Sequence, residues 1–355
     1  MKSLQILPPL LFAASASEGS ILFAEAFRTD RTTIAMPHSS CPRHRGRHSN
    51  VHASTSSLSR LHSTHFGPIP FKEGTVPVTR GKEGDEAEKQ FDISFTLVRP
   101  MSLSSQQAAP IIVLHGGPSL PSDYCHPLAK HVPYRSILFY DQLGCGKSDE
   151  PKNLNYYSID QAVDDLEAVL KQLSIRRFHL YGHSYGGILA YEYLKRCAER
   201  SGNEGDRSDN ECLSVVMSSA PTNIQQMEGD WEAMSAALSS PDLFQQTHLC
   251  RTEELPEPLK DAYANAGTVW SGTAAIFDYK AEPPKTKNEI LMPSAMIMRG
   301  EYDVVTEACS KGWKEKLLHS RSVRERLLAD CSHHGLLENG PMYGGLIDSY
   351  FAEYD

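Results

Sequence analysis

The stretch Leu180-Tyr181-Gly182-His183-Ser184-Tyr185-Gly186-Gly187 sets a serine between glycines at the spacing G-x-S-x-G. Serine is a poor nucleophile at neutral pH unless a base takes its proton and an acid orients that base. The spacing suits a sharp strand-to-helix turn that holds Ser184 in a strained conformation, because side chains at 182 and 186 would collide with the neighbouring strand and helix. Partners of the right type follow later in the chain. Asp303 comes after the apolar run Ser294–Met298 through Arg299-Gly300-Glu301-Tyr302, and His333 follows a strand-like run ending at Ala329 through Asp330-Cys331-Ser332. In the order Ser…Asp…His, His333 would be general base and then general acid, while Asp303 would hold its tautomer and stabilise the imidazolium. Glu301 is an alternative acid and His334 an alternative base.

A tetrahedral intermediate also needs hydrogen-bond donors fixed before reaction. The amide of Tyr185, directly after the nucleophile, is one candidate. Gly117, in the glycine-rich stretch His115-Gly116-Gly117-Pro118 after the run Ile111–Leu114, is the other.

These residues need a scaffold of alternating strands and helices. Phe91–Val98 alternates apolar and polar side chains as a half-exposed antiparallel strand does, whereas Ile111–Leu114 is an unbroken apolar run suited to a central parallel strand. Ser136–Tyr140, Arg177–Tyr181 and Leu213–Met217 read as further strands. Ser158 can cap a helix to Leu173 whose Ile159, Val163, Leu166, Val169, Leu170 and Leu173 share one face, and residues 188–194 continue from the serine turn with helical spacing. From Pro221 to about Pro293 the alternation stops in a helix-like segment containing Trp231, Phe244, Trp270 and Phe277. The sheet resumes at Ser294, with a helix expected over Thr306–Leu318, a last strand over Arg324–Ala329 and a closing helix over Tyr343–Phe351. The expected fold is α/β, a mostly parallel doubly wound sheet with an inserted helical cap. Its parts are a core over 66–220 and 294–355 and a cap over 221–293.

Charge narrows the partners. The 355 residues carry 35 Lys/Arg and 44 Asp/Glu, but residues 1–65 hold seven of the bases and three of the acids, leaving the body near −13. An acidic body lacks the basic face of a nucleic-acid binder. The stretch Asp141-Gln142-Leu143-Gly144-Cys145-Gly146-Lys147-Ser148 mimics the end of a phosphate-binding loop, but the position that needs its first glycine is Asp141, which would repel phosphate. The eight cysteines form no C-x-x-C pair, as expected of free thiols in a reducing compartment. No histidine or cysteine cluster has metal-ligand spacing, so neither metal nor cofactor is expected. No apolar run of membrane-spanning length follows the N-terminus.

Residues 1–26 read as a secretory signal, with Lys2, an apolar stretch from Leu4 to Ala16 and a small-x-small site at Ala24-Glu25-Ala26. From Phe27 to His65 the chain is rich in Ser, Thr, Arg and His, with Asp30 its only acid, the composition of an organelle transit peptide. The two in tandem resemble the bipartite plastid leaders of algae with secondary plastids. The expectation is a plastid protein whose first 65 residues stand apart from the fold; a secreted protein with a linker is the alternative.

The stretches Leu114–Pro118, Tyr140–Asp149, Gly182–Gly187, Gly300–Asp303 and Ser332–His333 with Glu338 together resemble the proline iminopeptidase (prolyl aminopeptidase) family of α/β-hydrolases, from about residue 67 to the C-terminus. The resemblance implies a serine hydrolase working through an acyl-enzyme on short peptides. It places Ser184, Asp303 and His333 at the catalytic positions, Gly117 and Tyr185 at the oxyanion hole, and prefers His333 to His334. Two positions depart from it: Ser119 stands where the family has a glycine after His-Gly-Gly-Pro, and Val304 stands where an acidic residue commonly helps bind the substrate amine. Gly116, Trp231, Trp270 and Asp278 are the substrate-contact candidates, and Glu228, Asp230 and Glu282 are further acids that could meet an amine. An esterase or amidase acting on a small apolar substrate is the alternative activity. A silent ligand receptor would need no oriented base.

Overall fold

The computed structural model describes residues 69–81, 88–100, 108–200, 210–285 and 292–355. The leader expected over 1–65 lies outside the described residues. Eight strands form one sheet: β1 (Phe71–Arg80), β2 (Lys89–Val98), β3 (Ile111–Leu114), β4 (Ile137–Tyr140), β5 (Arg177–His183), β6 (Glu211–Ser218), β7 (Ser294–Gly300) and β8 (Val323–Leu328), in the spatial order β1-β2-β4-β3-β5-β6-β7-β8. β1 and β2 pair antiparallel, as do β2 and β4; the remaining neighbours are parallel. β3 and β4 are buried at every residue, as strands covered on both faces must be.

Sequence periodicity passes over β1 because Gly74 and Pro77 interrupt it. Both have a place there: the ring of Phe95 lies where a side chain on residue 74 would go, and proline is tolerated on a strand with one neighbour. Arg80, at the end of β1, donates to both carboxylate oxygens of Asp165 at 2.8 and 2.6 Å and to the Tyr156 carbonyl at 2.9 Å. Asp165 belongs to helix α1 (Ile159–Gln172), whose first turn is capped by Ser158 Oγ accepting from the Gln161 amide at 3.1 Å. The long-range pair therefore fastens the outer hairpin to α1.

Helix α2 (Tyr185–Arg200) and α1 cover one face over a core that includes Val163, Leu166, Ile188 and Leu189. Between β6 and β7 lie α3 (Ile224–Ala236), a short turn Pro241–Phe244 running into a π-helical turn Gln245–Leu249, and α4 (Glu257–Ala264). The opposite face is closed by α5 (Gly340–Ala352), where Tyr343, Ile347 and Phe351 pack with Tyr124 and Leu128. The single helix expected over Thr306–Leu318 is instead two turns, Glu307–Ser310 and Trp313–Lys316. Gly312 separates them against the Thr222 side chain, and Trp313 turns fully inward, its indole N–H donating to the Ala220 carbonyl at 2.7 Å. Burying that indole with its donor satisfied outweighs continuing a surface helix. Among the described residues no helix is long and apolar enough to cross a membrane.

Candidate active site

Ser184 stands between β5 and α2 with φ +54°, in the left-handed region that non-glycine residues seldom adopt. The turn is pinned by the Ser184 amide donating to the Ser218 carbonyl at 2.8 Å and the Gly187 amide donating to the Ser184 carbonyl at 2.9 Å. A β-carbon on Gly182 would overlap the Gly186 carbonyl, and one on Gly186 the Leu114 carbonyl. Those two glycines let β5, α2 and β3 close around the serine.

His333 Nδ1 donates to Asp303 Oδ1 at 2.8 Å. Asp303 is buried, which alone would raise its pKa, yet the His333 imidazole with hydrogen bonds from His333, Ser219 and the Val305 amide holds it below the ordinary carboxylate value. A carboxylate so held stays ionised and orients the imidazole, leaving Nε2 for proton transfer. Gly300, ending β7, admits the neighbouring loop: a β-carbon there would crowd the carbonyls of Cys331 and Ser332. The Ser184 hydroxyl makes no hydrogen bond among the described residues; such contacts in unliganded sites are often long and tighten with substrate.

The two alternatives fall elsewhere. Glu301 is exposed, its carboxylate accepting from the Asp330 amide at 3.1 Å. His334 is buried with its ring against His183 and Tyr124, and burial, then the neighbouring histidines, push its pKa well down. It faces no acid among its contacts.

The amides of Gly117 and Tyr185 make no hydrogen bond among the described residues, as oxyanion donors require, whereas the Gly116 amide donates to Tyr124 Oη at 2.7 Å. Gly116 is the closer to the nucleophile, since a β-carbon on it would lie 3.1 Å from Ser184 Cβ. Ser119, where a glycine would be expected, keeps a glycine-like φ of +68°, and its hydroxyl donates to the Trp270 carbonyl at 2.6 Å. The hydrogen bond offsets part of the backbone cost and ties this loop to the helical insertion. His115 is fully buried, its Nε2 accepting from the Gln142 amide at 2.8 Å, so it serves the loop rather than the chemistry. Asp141 likewise accepts from the Ser122 amide and hydroxyl and the Lys147 amide, at 2.8 to 3.0 Å. The aspartate that would repel phosphate organises its own loop.

The substrate-contact candidates divide. Trp270 is half-buried, 5.9 Å from the Tyr185 ring and stacked on Tyr157 at 6.0 Å, on the nucleophile side. Trp231 packs on Phe244 at 4.7 Å. Asp278 is exposed and contacts Gln225 at 3.4 Å, away from the catalytic set. Glu282 is also exposed, and Val304 is buried in the core. Asp230 accepts from Thr306 Oγ1 at 2.5 Å and Cys309 Sγ at 3.2 Å, three and six residues past Asp303, and these bonds occupy its carboxylate. Glu228 is half-buried on α3. A cavity of about 120 Å³ between β2, β4 and the Asp141 loop lies apart from Ser184 and His333.

Sequence reasoning leaves out the π-helical turn. The His248 carbonyl accepts from the His333 amide at 3.2 Å, the Leu249 carbonyl accepts from the His334 amide at 2.9 Å, and His248 Nδ1 donates to the Tyr302 carbonyl at 2.8 Å. This turn clamps the loops that carry Asp303 and His333, and no residue type or spacing announces it.

The family model for the α/β hydrolase fold matches residues 109–248. The proline iminopeptidase of Saccharolobus solfataricus is 29% identical over 268 residues, 68% of this chain and 84% of its own length. That of Chitinophaga pinensis is 27% identical over 279 residues, 68% of this chain and 89% of its own. The crystal structure of the Mycobacterium smegmatis proline iminopeptidase superposes with a TM-score of 0.61 at 20% identity, covering 80% of this chain and 98% of that one. With a sheet of this order carrying a serine turn after β5, the chain has the α/β-hydrolase fold and is similar to proline iminopeptidases over about two thirds of its length.

Proposed function

We propose that this protein is a serine aminopeptidase that releases an N-terminal residue, proline first, from short peptides. The observation that carries the reading is the 2.8 Å bond from His333 to the buried Asp303, in loops that meet the strained serine turn. His333 takes the Ser184 proton as Oγ adds to the scissile carbonyl. The oxyanion is met by the Tyr185 and Gly117 amides; the C–N bond then breaks as His333 returns the proton to the leaving amine. Water, deprotonated by the same imidazole, releases the acyl group from Ser184. Trp270, beside Tyr185, is suited to an apolar ring such as that of proline.

One observation favours a second reading, an esterase or amidase. Asp278 is exposed, and valine stands at position 304, where the family commonly has an acid for the substrate amine. A buried ammonium needs a partner. A panel of prolyl and alanyl arylamides, an N-blocked prolyl amide and short nitrophenyl esters decides between them. Faster turnover of free-amine substrates supports the aminopeptidase; indifference to the amine, with esters preferred, removes it. Fluorophosphonate labelling that Ser184→Ala abolishes separates an enzyme from a receptor.

The composition of residues 1–65 supports a plastid destination through a bipartite leader. A fluorescent fusion of those residues that stayed in the cytosol would remove this reading.

A further inference from the structure

Tyr124 and His183 are buried beside the site but take no part in the steps above. Their bonds have a fixed direction. The Tyr124 oxygen accepts from the Gly116 amide at 2.7 Å and lies 2.9 Å from His183 Nδ1. His183 Nε2 lies 2.8 Å from the His333 carbonyl oxygen, which can only accept, so Nε2 carries the ring proton. Nδ1 is then a lone pair, and the single phenol proton of Tyr124 goes to it. The result is a relay of three bonds, with the buried Cys125 thiol as a further partner of the Tyr124 hydroxyl.

The relay joins three parts of the chemistry. Gly116 neighbours the proposed oxyanion donor Gly117, His183 precedes the nucleophile, and the His333 carbonyl belongs to the base. We infer that Tyr124 and His183 are positioning residues that hold the oxyanion loop, the serine turn and the main chain of the base as one unit. The inference rests on the serine-hydrolase reading. The surroundings suit a neutral relay: burial, then the nearby His333, lowers the His183 pKa to about 3, and the His334 ring stacks on His183 at 5.3 Å. When His333 takes the serine proton, the adjoining rings stay uncharged. Tyr124→Phe would leave the Gly116 amide and His183 Nδ1 buried without partners.

The test uses the full chain with Tyr124→Phe, His183→Leu and His183→Gln, the last keeping an acceptor and a donor on one planar group. kcat, KM, thermal midpoint and inhibition by a prolyl trifluoromethyl ketone, which adds to serine and places an oxyanion in the hole, are measured on the best substrate of the panel. Tyr124→Phe and His183→Leu are expected to lower kcat about 10- to 100-fold with KM within about twofold, and to weaken the ketone by the same factor. His183→Gln recovers most of both. Tyr124→Phe with wild-type kcat overturns the inference. So does a loss that follows the folded fraction while ketone affinity per folded molecule is unchanged. A wild-type chain that neither turns over the panel nor labels at Ser184 overturns the hydrolase reading itself, whereas a working wild type with an indifferent Tyr124→Phe overturns the inference alone.

Discussion

Glu338 accepts the Ser332 amide at 2.6 Å and the Ser332 hydroxyl at 2.5 Å, one residue before His333. The same carboxylate accepts the Arg251 amide at 3.1 Å, so the segment after the π-helical turn and the histidine loop share one anchor. Glu338→Ala removes three acceptor contacts without touching the reacting atoms. It is expected to cost about 1–3 kcal/mol of stability and to lower kcat more than it raises KM. Denaturant midpoints and steady-state kinetics on one preparation read both effects.

Asp303→Asn keeps the shape of the acid and removes its charge. An amide offering its N–H to His333 favours the wrong tautomer, placing the imidazole proton where Nε2 must receive one from Ser184. The expected fall in kcat is about 10⁴-fold, the size found for the same change in a serine protease triad. Single-turnover rates measure it. A fall under tenfold would show that another group orients the base.

Burial lowers the pKa of His115, His179, His183 and His334. For His183 the folded value is about 3, against an unfolded value of about 6.5. Between these the unfolded chain binds a proton that the folded chain does not, so stability rises with pH. This contribution is complete above about pH 6.5 and is lost progressively as pH falls toward 3. Asp303, with its depressed pKa, adds a loss of the same sign at lower pH. Denaturant midpoints from pH 7 to 4 are expected to fall for the wild type and less steeply for His183→Gln.

Arg80 and Asp165 form a paired contact with side chains only 4% and 5% exposed. Burial pushes the Asp165 carboxyl upward even against the Arg80 charge, so an unpaired Asp165 would be costly. Arg80→Leu alone is expected to lose about 3–5 kcal/mol, and the double variant with Asp165→Leu to regain much of it. Chemical denaturation of the four corners of this cycle gives the coupling directly. Additive losses would mean that the pair does not fasten β1 to α1.

Local signals in this chain were readable where a residue type is demanded by backbone geometry or by one-sided burial. Gly182 and Gly186 announce the serine turn because no side chain fits there, and Ser158 announces α1 because an oxygen must meet its first amides. Ile111–Leu114 and Ile137–Tyr140 announce buried strands by having no polar face. The order Ser184, Asp303, His333 could be written down, but the choice between His333 and His334, which the residues alone left open, was decided by packing. Those two neighbours differ only in which ring turns toward Asp303 and which stacks between His183 and Tyr124. The place of Gly74 under the Phe95 ring, the break at Gly312 and the clamp from His248 each depend on partners at least 21 residues away in the chain, so they leave no periodic trace. Short-range sterics and capping were thus determined by the sequence by itself. Contacts whose energy comes from distant groups meeting in a low-dielectric interior were decided only by the tertiary structure.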